Sequence, residues 1–120
     1  MYGMSPSELS RMYVQGSLAN KDDGFVFSIK NKIESGSMSG IAKLAVDGEE
    51  RSLEGVTIQM GEKVRNVSEI SWSSSIYVPY GSTLTIFVPG KLEAGEHTIT
   101  TQINVPELGR ISFPVTDTVA

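Results

Sequence analysis

Two alternating segments joined by a short link constrain the fold more than any other feature of this chain. Residues 83–88 alternate polar with apolar side chains, and residues 97–105 put Ile99, Ile103 and Val105 on one face. Neighbouring side chains of a strand point to opposite faces, so each segment predicts a strand with one buried face. Pro89-Gly90 ends the first segment and Gly95 begins the second, as residues that punctuate strands do. The link between them therefore predicts a corner of a β-sandwich.

The corner holds one bulky apolar residue, Leu92, and the only histidine of the chain, His97. We expect Leu92 to close one end of the core. A histidine titrates near ~6.5 and can act as a general base or bind a metal. A metal site, however, needs several converging ligands. The favoured interpretation is structural: with Gly95 beside it, His97 braces the corner through hydrogen bonds to the backbone.

Other short strand patterns recur along the chain at roughly ten-residue spacing, which is typical of β-sandwiches and barrels. They are residues 25–29, 41–46, 56–60, 71–78 and 110–115, with a predicted flexible loop at 35–40 and a less regular link around Val64, Val67 and Ile70. Asp47-Gly48 is a strong hairpin signal, because glycine accepts the positive φ of a tight turn. The sequence therefore predicts an all-β fold: a single antiparallel β-sandwich domain over residues 24–120.

Residues 1–23 are predicted to form an N-terminal arm that contacts a partner. Ser5 to Glu8 has the pattern of a capping box with proline at the first helical position. The arm is then either a short helix or helical turn, with Met12 and Tyr13 on one face, or an extended segment, because so short a helix is marginal alone. Met4 and Met12 are candidate contact residues, since methionine adapts to irregular surfaces.

Composition limits the function classes. The chain has 120 residues, enough for one core, and a net charge of −4, which argues against a dedicated nucleic-acid binder. It has no cysteine, so thiolate catalysis and thiolate metal sites are excluded. No secretory signal and no apolar run of ~20 residues is present, so we expect a cytoplasmic protein without a membrane contact.

The remaining chemical candidates favour structural roles. Asp22-Asp23-Gly24 indicates a turn rather than a calcium loop, which needs spaced oxygens and a distal glutamate. Glu49-Glu50 is typical of a solvated strand face. The serines at 73–75 lack a nucleophile elbow. We therefore predict no catalytic and no metal-binding residue, and no cofactor, in this chain.

Trp72, Tyr77 and Tyr80 form the densest aromatic cluster. Aromatic side chains with a polar group are enriched at interfaces and ligand grooves. One interpretation makes these three residues the surface that faces a partner or substrate. The other, slightly favoured, places Trp72 in the core and leaves the tyrosines at its rim.

An ordered set of segments resembles the small β subunit of bacterial C-glycoside deglycosidases. The set runs through Val46–Glu50, Trp72, Tyr80–Ile86, Leu92–Ile99 and Arg110–Val115, and the opening Met1–Leu9 resembles the short arm of some members. The resemblance implies a partner, a larger α subunit with a TIM-barrel fold that holds a divalent metal, manganese by expectation, and the catalytic residues. It also implies a hetero-oligomeric carbon–carbon lyase that separates a 3-oxo-sugar from a flavonoid or isoflavonoid aglycone.

Two other functions stay open. A stand-alone carbohydrate- or glycoside-binding β-sandwich is the alternative, on the strength of the aromatic cluster. An independent enzyme with His97 as its base is the least favoured, because supporting groups are missing from the sequence.

Overall fold

The structure, a computed structural model, describes residues 11–106 and 109–120. Within these residues, eleven strands form two main sheets and a two-stranded ribbon. The strands are β1 (Ala19–Lys21), β2 (Gly24–Lys30), β3 (Gly36–Met38), β4 (Gly40–Val46), β5 (Glu49–Arg51), β6 (Thr57–Met60), β7 (Lys63–Asn66), β8 (Ile76–Val78), β9 (Thr83–Pro89), β10 (Gly95–Val105) and β11 (Gly109–Val119). A single 3-10 turn, Val67–Glu69, follows β7. The predicted all-β fold is confirmed.

The strands form an antiparallel sandwich. One sheet has the order β1-β2-β9-β6-β7 and the other β11-β10-β4-β5, while β3 and β8 pair as a separate ribbon. The alternation predicted for residues 25–29 is confirmed, since Phe25, Phe27 and Ile29 of β2 are buried. The core between the sheets also contains Leu44, Ile58, Ile86 and Ile99. Facing apolar rows of this kind are what drives two sheets to pack.

A β-bulge adjusts the second sheet. Ile41 and Leu44 of β4 are both buried, although residues three apart in a regular strand point to opposite faces. The register of β4 against β10 shifts between Gln102 and Ile103, so that Lys43 lies opposite Gln102 and Ile41 opposite Ile103. The extra residue, Ala42, turns Ile41 back towards the core.

Three assignments made from the sequence need correction. Residues 35–40 are not a plain loop, because Gly36–Met38 forms β3 and pairs with β8. The strand predicted over 71–78 contains only Ile76–Val78, after a turn. The link after β6 includes a strand, β7, which pairs with β6 across the Gly61-Glu62 turn.

The described part of the predicted arm lies along the edge of the first sheet. The Lys30 N–H donates to Met12 O at 2.7 Å and the Val14 N–H donates to Ser28 O at 3.0 Å, and β1 continues the pairing with β2. Met12 lies in a turn and Tyr13 is bridged to Ile29, and both side chains are buried. A helix is therefore wrong for these two residues, whereas a turn is present at Met12. The capping box at Ser5 to Glu8 lies outside the described residues.

Candidate functional site

Trp72 stands at the tip of a tight turn. The Ser71 N–H donates to Ser74 O and the Ser74 N–H donates to Ser71 O, both at 3.1 Å. Neither Trp72 nor Ser73 has the positive φ of the turns that match the twist of paired strands. The pairing accordingly stops after one bridge. The indole is 81% exposed, so the interpretation of Trp72 as a core residue is wrong.

Arg65 holds this turn in place. Its Nη2 donates to Ser74 Oγ at 2.7 Å, to Ser74 O at 3.2 Å and to Glu69 O at 3.1 Å, and its Nη1 lies 3.4 Å from Ser75 O. The side chain starts from β7, where it is half-buried and pairs with Ile58. A planar guanidinium with five donors suits several carbonyls at once. Arg65 was not identified from the sequence, where it looks like any exposed strand cation.

Tyr77 and Tyr80 continue the exposed aromatic segment. Tyr77 lies on β8 opposite Ser37, and its side chain points outwards between buried Ile76 and Val78. The Tyr80 N–H donates to Ser35 Oγ at 2.9 Å. Both rings are exposed, at 60% and 63%. Trp72, Tyr77 and Tyr80 are therefore three exposed aromatic side chains within one short stretch of chain, which we call the aromatic segment (residues 72–80).

An apolar pocket of about 600 Å³ opens at one end of the sandwich. Its walls include Met12, Ile29, Met38, Leu84, Ile103 and Ile111, and its volume is within the range of ligand pockets. Of the predicted contact residues, Met12 lines this pocket, whereas the three aromatic residues do not. Met4 lies outside the described residues.

Asn31 shapes the rim of the pocket. Its Nδ2 donates to Glu34 O at 2.9 Å and to Val78 O at 3.0 Å, while its Oδ1 accepts from the Ile33 N–H at 3.1 Å. These bonds tie the end of β2 to the loop before β3 and to β8. Asn31 therefore fixes the distance between the two sides of the pocket mouth.

The corner after β9 has the contacts and backbone geometry expected of a structural connection between the two sheets. Leu92 is buried, and its backbone forms two hydrogen bonds with the side-chain amide of Asn20, at 2.8 and 2.9 Å. Gly95 has φ 125°, a value that L side chains rarely adopt. The corner is thereby joined to β1 on the first sheet and continues into β10 on the second.

Both ring nitrogens of His97 have partners. Nδ1 lies 2.7 Å from Asp47 Oδ2 and Nε2 lies 2.8 Å from Glu93 O. Both partners are acceptors, so the protonated ring, with two N–H donors, satisfies both. The Asp47 carboxylate and then the Glu93 carbonyl raise the pKa of His97 above its ordinary value. Neither nitrogen is left over to take a proton from a substrate in this arrangement.

Asp47 serves two roles at the hairpin between β4 and β5. Its φ of 51° and that of Gly48, 85°, form the turn, as the Asp-Gly pair predicts. Its Oδ1 accepts from the Thr98 N–H at 2.9 Å. That backbone hydrogen bond, followed by the His97 contact, lowers the pKa of Asp47.

A buried tether joins the start and the end of the described chain. Asp117 Oδ2 accepts from the Tyr13 hydroxyl at 2.7 Å, from the Gly16 N–H at 2.8 Å and from the Leu18 N–H at 3.3 Å. Burial alone would raise the pKa of Asp117, but these bonds and one from the Thr118 N–H lower it overall. Burial, with Asp117 beside it, raises the pKa of Tyr13. We interpret the tether as structural, because every carboxylate contact is a bond within the fold.

Within residues 11–106 and 109–120, no group of three or more His, Asp or Glu side chains converges as metal ligands do. Nor does that part of the chain contain a helix of the length and apolar character needed to cross a bilayer.

In a comparison with known families, residues 9–120 match the family described as hydroxymethylglutaryl-CoA reductase, N-terminal domain. The chain belongs to this family. Among curated proteins, no match was found. The range matched to the hydroxymethylglutaryl-CoA reductase N-terminal domain family covers the described sandwich, including the aromatic segment, the pocket and the corner. The family description does not name a C-glycoside deglycosidase, so that resemblance stays a prediction.

Proposed function

We propose that this chain is the small, non-catalytic β subunit of a C-glycoside deglycosidase. In this role it supports a metal-dependent barrel subunit that cleaves the carbon–carbon bond between a 3-oxo-sugar and an aromatic aglycone. The observation that carries the proposal is the aromatic segment: Trp72, Tyr77 and Tyr80 are all exposed, and the turn that carries Trp72 is held by backbone and Arg65 hydrogen bonds. Exposed aromatic residues of this kind are enriched at protein interfaces.

One further observation supports a helper role. The one histidine of the chain has both ring nitrogens engaged within the fold.

In the proposed reaction the reactive groups belong to the partner, as the resemblance implies. A ketone at C3 of the sugar acidifies the C–H at C2, so a positioned base can remove that proton. The bond from C1 to the aglycone then breaks as a C1=C2 double bond forms, and the aglycone carbon takes up a proton. The divalent metal expected in the barrel would stabilise charge on the sugar oxygens. This chain would contribute binding surface and order at the subunit boundary, with no proton transfer of its own.

Co-purification tests the proposal. The tagged chain is expressed with a neighbouring reading frame that encodes a sugar-isomerase-like barrel, and the complex is isolated by affinity and size-exclusion chromatography. We expect the two proteins to elute together at a fixed stoichiometry. Elution of the barrel at the position of the free subunit, with the folded chain present in excess, would contradict the proposal.

The pocket supports a second candidate, a stand-alone module that binds glycosides or their aglycones. Its volume of about 600 Å³ and its apolar walls suit a flat aromatic ligand. Calorimetry of the isolated chain with a C-glycoside and with the free aglycone tests it. Ile33→Asp changes the pocket mouth at a partly exposed position, and Val64→Asp, outside the pocket, is the matched control. Equal heats for all three proteins, at the level of buffer dilution, would exclude this function.

A further inference from the structure

Trp72 is the most exposed of the large apolar side chains in the described part of the chain. Aromatic side chains dominate interface energetics, because each buries about 150–250 Å² on association. A tryptophan at 81% exposure keeps nearly all of that area available. Because Trp72 lies at the tip of a turn, its side chain protrudes from the surface. A protruding side chain fits a concave pocket on a partner.

The turn is ordered before any partner binds. Two backbone hydrogen bonds close it, and the Arg65 guanidinium spans its second half through Ser74 and Ser75. Association costs free energy for each loop or side chain that must be immobilised. A turn that is held in advance avoids part of this cost, as rigid aromatic anchors do in other binding surfaces.

The chemistry around the indole indicates what kind of surface it fits. Residues 71–75 contain four serines and no ionisable side chain, and the nearby guanidinium of Arg65 is directed to carbonyls and a hydroxyl of its own chain. Polyanions such as nucleic acids need free cationic groups. A tryptophan whose sequence neighbours are serines without charge suits an apolar protein pocket with polar edges.

We propose that Trp72 is the anchor residue that inserts into an apolar pocket on the barrel subunit, and that Arg65 is a positioning residue that keeps the Ser71–Ser74 turn in its binding form. This inference rests on the proposed function for the identity of the partner. It adds which residue dominates the contact and which residue prepares it.

Fluorescence makes the inference directly measurable, because Trp72 is the only tryptophan of the chain. The free chain is expected to emit as a solvent-exposed indole that acrylamide quenches readily. The chain is then titrated with the purified barrel subunit, whose own tryptophans are replaced by phenylalanine or whose emission is subtracted. The emission of Trp72 should shift to the blue, and its quenching by acrylamide should fall.

Affinity measurements separate the anchor from its positioning residue. We expect Trp72→Ala to weaken the complex at least about 30-fold, the size of a hot-spot effect. Arg65→Ala should weaken it roughly 3- to 10-fold, the scale of one preorganised loop. In the Trp72→Ala background, Arg65→Ala should have no further effect, since a positioning residue acts only through the group it positions. Lys43→Ala, exposed on the other sheet, is the control.

Each other outcome overturns the inference in an identifiable way. A complex that forms and loses less than threefold in affinity with Trp72→Ala rejects the anchor and leaves the proposed function standing. No complex with the barrel, from a chain whose circular dichroism shows it folded, rejects both. A blue shift on adding C-glycoside alone assigns Trp72 to a ligand site. A shift with protein concentration alone assigns it to contact between two copies.

If Arg65→Ala perturbs folding, Ser74→Ala removes only the 2.7 Å contact with Ser74 Oγ and takes its place in the cycle. Arg65 then counts as a positioning residue only if Ser74→Ala weakens the complex and increases the mobility of the indole in fluorescence anisotropy. An unchanged anisotropy and affinity in this variant would reject the positioning role.

Discussion

Replacing Tyr13 with phenylalanine removes one donor from Asp117 and leaves the ring in the core. Both residues are buried, and the hydroxyl lies 2.7 Å from the carboxylate. Hydrogen bonds to charged groups contribute about 1.5–3 kcal/mol. Asp117 keeps its bonds from Gly16, Leu18 and Thr118, so we expect the lower end, about 1.5 kcal/mol. For a chain of 120 residues, this corresponds to a fall in Tm of roughly 6 °C.

The effect should depend on pH in a defined direction. The pKa of Asp117 is lowered from 3.8 in the folded state, so the stability it contributes is present above 3.8 and is lost as the pH falls through the folded pKa. The pKa of Tyr13 is raised from 10.0, so its contribution is present below 10.0 and is lost as the pH rises through the folded value. The difference between the wild type and Tyr13→Phe should be largest in the interval between these limits.

Thermal and urea unfolding, followed by circular dichroism from acid to alkaline pH, measure the loss of stability and its dependence on pH. Tyr77→Phe makes the same chemical change on an exposed ring and should alter stability by less than about 0.5 kcal/mol. Equal losses for the two variants, or a Tyr13→Phe effect that grows in acid, would refute the reasoning.

Three other predictions follow from the site geometry. The single His97 signal in an NMR titration should give a pKa above 6.5, and this pKa should fall in Asp47→Asn. The stability that His97 contributes is present below pH 6.5 and is lost as the pH rises through the folded pKa. A pKa at or below 6.5 would contradict the contact with Asp47. Asn31→Ala should cost about 1–3 kcal/mol in urea unfolding, since it removes four side-chain hydrogen bonds, whereas exposed Asn66→Ala should not. Leu92→Ala should cost about 2–5 kcal/mol, and a loss under about 1 kcal/mol would show that the corner is not part of the core.

The sandwich could be predicted because its longest strands are amphipathic. β2, β9 and β10 each alternate buried with more exposed residues, and this alternation is visible in the sequence without any knowledge of pairing. The Asp47-Gly48 hairpin was predictable for a similar reason, since the turn chemistry is local.

What could not be predicted depends on contacts between distant residues. β3 consists of Gly36, Ser37 and Met38, which favour no strand by themselves, and it forms only because β8 pairs with it. The partners of the Tyr13–Asp117 bond are 104 positions apart. The bulge at Ala42 is also set by the fit of two strands.

The candidate site was predicted in part for the same reasons. The aromatic segment was identified from its composition, but exposure of Trp72 follows from the turn at Ser71–Ser74, which the alternation over 71–78 concealed. Arg65 could not be assigned to that turn, because its contacts depend on how residues 67–75 fold back on β7. The pocket brings together residues from both sheets, the ribbon and the N-terminal edge, and no single segment of the sequence indicates it.

The proposed subunit role can be measured by the cleavage of a 3-oxo-C-glycoside in three samples: the barrel subunit alone, this chain alone, and the two combined at equal concentration with manganese present. Release of the free aglycone is followed by chromatography. We expect release by the combined sample and little by either protein alone. Full activity of the barrel alone, or turnover by this chain alone, would show that this chain is not a non-catalytic subunit that the barrel requires.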